Sequence, residues 1–135
     1  MVESPSLFSR VGYVYMPTTN MDESIRWYEE KLGFTLKGPK FRDGSSNVAV
    51  LMLPGGNTVV LLVEVDDQTI EDFTSNDKTV PTLALTCPDL QSTHHMLQER
   101  GVDVSEIIVR SEDAKYFIIK DPSGNVIEAA WSIWD

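Results

Sequence analysis

An acid in an otherwise apolar run, Val126-Ile127-Glu128-Ala129-Ala130, is the first residue of this chain that chemistry could use. On a strand, Glu128 can act as a general base, a metal ligand or a polar anchor for a bound molecule. Its plainer role is a solvated or hydrogen-bonded acid at a cavity wall. Tyr13 and Tyr15 alternate with Val14 and so point the same way, which lets two phenols line one aromatic surface or pack on a core. His94 and His95 are of the type that most often holds a metal. Neighbours on a helix diverge by about 100°, however, so they do not easily grip one ion and their expected place is the helix surface. Cys87, between Thr86 and Pro88 with no histidine near it in sequence, reads as a small structural residue rather than an activated thiolate. Of the aromatic residues, Tyr28 belongs to a core stripe with Trp27 at its edge, and Trp131 and Trp134 are expected to cover a sheet edge. No phosphate-cradling glycine loop, nucleophile elbow or zinc spacing occurs in the sequence, and Gly55-Gly56 is a turn.

The elements that position these residues follow from periodicity. Val11 to Met16 is rich in β-branched and aromatic types and reads as a strand that Pro17-Thr18-Thr19-Asn20 breaks. Asn20 is a helix N-cap with Glu23 three residues on. Met21, Ile25, Tyr28 and Leu32 then recur at helical spacing until Gly33 ends the segment. Asn47 to Leu53 and Thr58 to Val65 read as a β-hairpin around Pro54-Gly55-Gly56-Asn57.

The second half repeats that order: a strand over Thr82 to Thr86, Asp89 as cap, a helix to Arg100, Gly101 as stop, then strands over Tyr116 to Lys120 and Val126 to Trp131. Asn20 and Asp89 lie 69 residues apart, as do Tyr28 and Leu97, whereas Gly33 and Gly101, Pro54 and Pro122, and Asn57 and Asn125 lie 68 apart. One offset and one deletion thus align caps, stripes and turns, as a duplication would. Half of such a chain cannot bury both faces of its sheet, so the two halves are expected to pair into curved sheets around a cleft.

Composition narrows the function. At 135 residues, 41% hydrophobic and 24% charged, the chain has the make-up of one globular domain over 1–135, with module one at about 8–66 and module two at about 79–134. Its net charge of −10 repels phosphate backbones and anionic lipid, so no nucleic-acid or membrane partner is expected. The single cysteine forms no intrachain disulfide, and Met1-Val2-Glu3-Ser4-Pro5 lacks the basic start of a signal peptide, so the expected location is the cytoplasm.

Three segments resemble the vicinal oxygen chelate superfamily, which comprises glyoxalases, bleomycin-resistance proteins and extradiol dioxygenases. They are Val11-Gly12-Tyr13-Val14 running through Asn20-Met21-Asp22-Glu23-Ser24, Trp27-Tyr28 and Leu32-Gly33-Phe34; Pro81-Thr82-Leu83-Ala84 into Asp89; and Phe117 to Glu128 with its Asp121-Pro122-Ser123-Gly124-Asn125 turn. The resemblance covers residues 8 to 133 and implies an α+β fold of two β-α-β-β-β modules. It also implies a divalent metal held by one side chain from each of four strands. The matching positions here are Tyr13 and Thr82, where histidine is usual, Glu128, and, by the repeat offset, Val60. Glu64 lies on the face of Val60, four residues on. A phenol, a hydroxyl and an aliphatic group bind a borderline divalent ion poorly beside imidazole and carboxylate, so no metal or other cofactor is expected.

The leading expectation is therefore a bleomycin-resistance-like protein that binds a small, partly aromatic or amphipathic molecule without a catalytic metal. Tyr13, Tyr15, Glu64, Thr82 and Glu128 are its candidate ligand-binding residues, and Glu128 is its one candidate catalytic group. Two alternatives stand beside it: a divalent-metal-dependent lyase or dioxygenase of the same superfamily, and a regulatory or interaction module with a vestigial cleft. Pairing into a homodimer is implied by the resemblance.

Overall fold

The computed structural model describes residues 7–56, 58–66, 74–75, 78–79 and 81–134, the two short pairs by backbone alone. The first half runs β1 (Tyr13–Thr18), α1 (Met21–Leu32), β2 (Thr35–Leu36), β3 (Phe41–Asp43), β4 (Ser46–Met52) and β5 (Val59–Glu64). A short antiparallel pair follows, β6 (Thr74–Ser75) and β7 (Lys78–Thr79), which the sequence reading does not place. The second half runs β8 (Leu83–Thr86), α2 (Leu90–Glu99), β9 (Asp103–Val104), β10 (Ile108–Ser111), β11 (Ala114–Lys120) and β12 (Val126–Ser132).

Each half makes one open five-stranded sheet, ordered β1-β5-β4-β2 and β10-β11-β12-β8, with β3 on β4 and β9 on β11. The opening strand of each half runs parallel to its closing strand, β1 to β5 and β8 to β12, and the helix with the intervening strands makes the crossover that a parallel pair needs. The strand expected after each helix is in two pieces. Gly38, at φ 72, and Pro39, which has no N–H to donate, separate β2 from β3. In the second half Ser105 bridges the gap: its N–H donates to the Ile118 carbonyl and its Oγ accepts from the Ile118 N–H, both at 2.8 Å.

The caps form as the sequence predicts. Asn20 accepts from the Glu23 N–H at 3.1 Å and Gly33 closes α1 at φ 76, while Asp89 accepts from the Ser92 N–H at 3.1 Å. The end of the first strand differs: β1 continues through Pro17 to Thr18 instead of ending at Met16. An edge strand tolerates proline when its N side faces away from the ladder. Here the Pro17 carbonyl, which lies on that same side, accepts from Asn125 Nδ2 of the other half at 2.7 Å.

One apolar cluster draws on both halves, including Met16, Tyr28, Leu51 and Leu62 from the first and Leu97, Phe117, Ile119 and Ile127 from the second. A buried polar clamp joins them. Tyr28 of α1 donates to Asp121 Oδ2 at 2.7 Å, Asn125 Nδ2 donates to the same oxygen at 2.8 Å, and Asp121 Oδ1 accepts from the Ser123 and Asn125 N–H groups. Thr18, Ser24 and Ser123 share a second set of hydroxyl contacts beside it. The Asp-Pro-Ser-Gly-Asn turn is thus the fastener that sets one sheet against the other. Reciprocal contacts tie the helix ends, with Lys31 Nζ donating to the Arg100 carbonyl and Arg100 Nη1 to the Lys31 carbonyl. Because these two residues lie 69 apart, the internal repeat folds as an approximate two-fold relation.

Candidate functional site

Alternation along each strand separates a core face from an outer face. On β12, Ile127 and Ala129 enter the core, which turns Glu128 outward. On β11, Phe117 and Ile119 enter the core, which turns Tyr116 and Ile118 outward beside it. On β8, Leu83 and Leu85 pack on the core, so Ala84 and Thr86 face out, with Ala84 directly across from Glu128, and Thr82, just before β8, is exposed.

Although Glu128 faces outward, its side chain is only 12% exposed, because Arg110 covers it. Arg110 Nη2 lies 2.6 Å from Glu128 Oε1, and Nη1 lies 3.5 Å from Oε2. A buried carboxylate without a counter-charge would cost several kcal/mol, and the guanidinium supplies that charge. Arg110 also stacks 4.0 Å above the Tyr116 ring. Its own pKa is raised by the Glu128 hydrogen bond, which keeps it cationic. A β-bulge between Val109 and Ser111 places Arg110 there, a device no periodicity in the sequence announces.

In the first half, Met16 and Thr18 are buried, so Tyr13 and Tyr15 face out, 60% and 66% exposed. They pair with Val59 and Leu61 of β5. Tyr13 borders a cavity of about 380 Å³ with Arg10, Lys37, Val50, Met52 and Val59. Its lining belongs wholly to the first half, so Glu128 of the second sheet does not share it. The Thr82 hydroxyl is engaged with the Val126 carbonyl at 3.4 Å and with Met16 Sδ at 3.5 Å.

Strand pairing moves one correspondence by a residue. Leu51 pairs with Val60 and Ile119 with Ile127, so Val60 is the counterpart of Ile127, and Leu61, not Val60, is the counterpart of Glu128. The cause is hairpin length: residues 53–58 join β4 to β5, whereas residues 121–125 join β11 to β12. A single-residue slip reverses every face. Val60 is therefore a core residue, and Glu64, on the same face, is turned away from the outer surface that carries Tyr13 and Tyr15.

Glu64 instead holds the start of α1. Its Oε2 accepts from the Met21 N–H and its Oε1 from Asn47 Nδ2, both at 2.8 Å. These two hydrogen bonds, with Lys40 nearby, draw its pKa below the ordinary glutamate value. A carboxylate at a helix N-terminus meets free N–H groups and the positive end of the dipole.

The remaining candidates have structural surroundings. His94 Nε2 meets the Ser105 carbonyl at 2.7 Å and its ring stands edge-on to Phe117, whereas His95 pairs with Glu99 on the surface. Cys87 is buried beside an apolar cavity of about 230 Å³ that Leu53, Leu85, Met96 and Leu97 also line. Trp131 packs partly against the core, while Trp134 is 84% exposed. Among the described residues, no group of three or more His, Cys, Asp or Glu side chains is placed to hold a metal ion, and no helix is long and apolar enough to cross a membrane.

Two βαβ-containing sheets related by an internal two-fold, with outer faces lined by the opening and closing strands, define a glyoxalase-type fold. The family model described as the Glyoxalase/Bleomycin resistance protein/Dioxygenase superfamily matches residues 10–129, and the chain belongs to that superfamily. Its fold is similar to that of TnmS3, an antibiotic binding protein from Streptomyces sp. CB03234, at 23% identity and TM-score 0.72 over 95% of this chain and 99% of the other. A glyoxalase family protein from Enterococcus faecalis is similar at 19% identity and TM-score 0.74, covering 93% and 99%. A superfamily member from Sphaerobacter thermophilus is similar at 18% identity and TM-score 0.74, covering 94% and 100%. No curated protein matches the chain by sequence.

Proposed function

We propose that this chain binds a small, partly aromatic molecule against the outer faces of its sheets, as a cytoplasmic homodimer and without a catalytic metal. The observation that carries this reading is the Arg110–Glu128 pair. The acid at the outer position of β12 is already neutralised by a resident guanidinium. Its companions there are two phenols, a threonine whose hydroxyl is engaged, and Leu61. This donor set does not fit a divalent ion, which takes imidazole, thiolate or carboxylate ligands. Binding needs apolar surface with a few polar points instead, and Tyr13, Tyr15, Tyr116 and Arg110 supply both. The antibiotic binding named for TnmS3 is in keeping with such a role.

Calorimetric titration with zinc, nickel and manganese tests the metal-free part. No saturable heat at micromolar ion is expected. One tightly held ion per chain would overturn it.

A further inference from the structure

The polarity of the proposed ligand follows from which charge of the Arg110–Glu128 pair remains open. Glu128 is almost covered and its carboxylate is met by Arg110. Arg110, with its side chain 51% exposed, turns only one edge of its guanidinium to Glu128 and one face to the Tyr116 ring. A guanidinium carries five N–H donors in a planar fork, so several remain open on the exposed side of the pair. The exposed member of the pair is thus the cation, although the chain as a whole carries −10. On the first sheet, the cavity at Tyr13 is lined by Lys37 beside the apolar Val50, Met52 and Val59.

We infer that the ligand is an aromatic anion whose acidic group is received by the outer edge of Arg110. This rests on the small-molecule-binding reading and specifies its ligand class. It also reverses the role expected for Glu128, which holds the arginine in place and does not itself attract a cation. Bidentate capture of a carboxylate, sulfonate or phosphate is what a pre-oriented guanidinium does best.

Two fluorescent probes test it on the full chain: 1-anilinonaphthalene-8-sulfonate, and N-phenyl-1-naphthylamine, which has the same rings without the sulfonate. The anion is expected to bind about tenfold more tightly than the neutral probe. Glu128→Gln frees Arg110 and should tighten the anion about twofold to fivefold, leaving the neutral probe unchanged. Arg110→Gln alone strands a buried carboxylate, so the doubly neutral variant Arg110→Gln with Glu128→Gln is used, and the anion preference should fall to about unity. Arg110→Lys, which keeps the ion pair but loses the fork, should weaken the anion about threefold and covers the case in which the double variant does not fold. Equal binding of the two probes by the unmodified chain, or a preference that survives loss of Arg110, overturns the anion assignment while leaving an aromatic cleft in place. A preference abolished by Lys37→Gln and not by the Arg110 variants overturns the assignment to Arg110. Failure of both probes to bind overturns the small-molecule reading itself.

Discussion

Single side chains here divide into those that hold the fold and those that face a ligand. The Tyr28–Asp121 contact is of the first kind, a fully buried phenol donating to a buried carboxylate across the two halves. Tyr28→Phe leaves Asp121 short of a donor and should cost about 1 to 3 kcal/mol, read as a lower unfolding midpoint in urea. Burial, and then the neighbouring Asp121 charge, raise the Tyr28 pKa well above its ordinary value of 10.0. Below about pH 10 both folded and unfolded states keep the phenol proton and the contribution is complete. Above that pH the unfolded phenol ionises first, so stability falls as pH rises, and Tyr28→Phe should flatten that alkaline decline.

At the scale of elements, the sequence is informative about caps and repeats and silent about register. Asn20, Gly33, Asp89 and the two hairpin turns are local signals, because each satisfies backbone groups only a few residues away. The twofold repeat is legible for the same reason. Arg110 is not: its partner lies 18 residues on, and two strand pairings and a β-bulge intervene. Val60 shows the same limit, since one extra residue in the first hairpin exchanges it with Leu61. Glu64 is legible as an acid on a strand, but not as the partner of a helix that begins 43 residues earlier. Glu64→Gln keeps its shape and removes its charge from the start of α1, which should cost about 0.5 to 1 kcal/mol near neutral pH after solvent screening. Its folded pKa is lowered from 4.5, so the contribution is complete above that value and is lost as pH falls through the folded pKa. Unfolding curves of the two forms should therefore converge in acid.

For the whole molecule, several large apolar side chains near the start and the end of the described chain lie open. Leu7, Phe8 and Val11 precede β1 and are 67% to 84% exposed, and Tyr13, Tyr15, Ile133 and Trp134 lie largely open as well. Large apolar side chains left open favour an interface, and a second copy is the simplest cover for them. Light scattering at micromolar concentration should give about twice the 15.1 kDa of one chain. A mass near that single-chain value would contradict the dimer.

As proposed, this superfamily member works through a resident arginine in place of a metal. Native mass spectrometry of protein purified without chelators addresses it most directly, because one spectrum reports bound ions, bound molecules and assembly together. The account predicts a dimer whose mass leaves no room for a divalent ion and which takes up an added aromatic anion. A species carrying one divalent ion per chain, whose removal by chelator abolishes an activity, would contradict it.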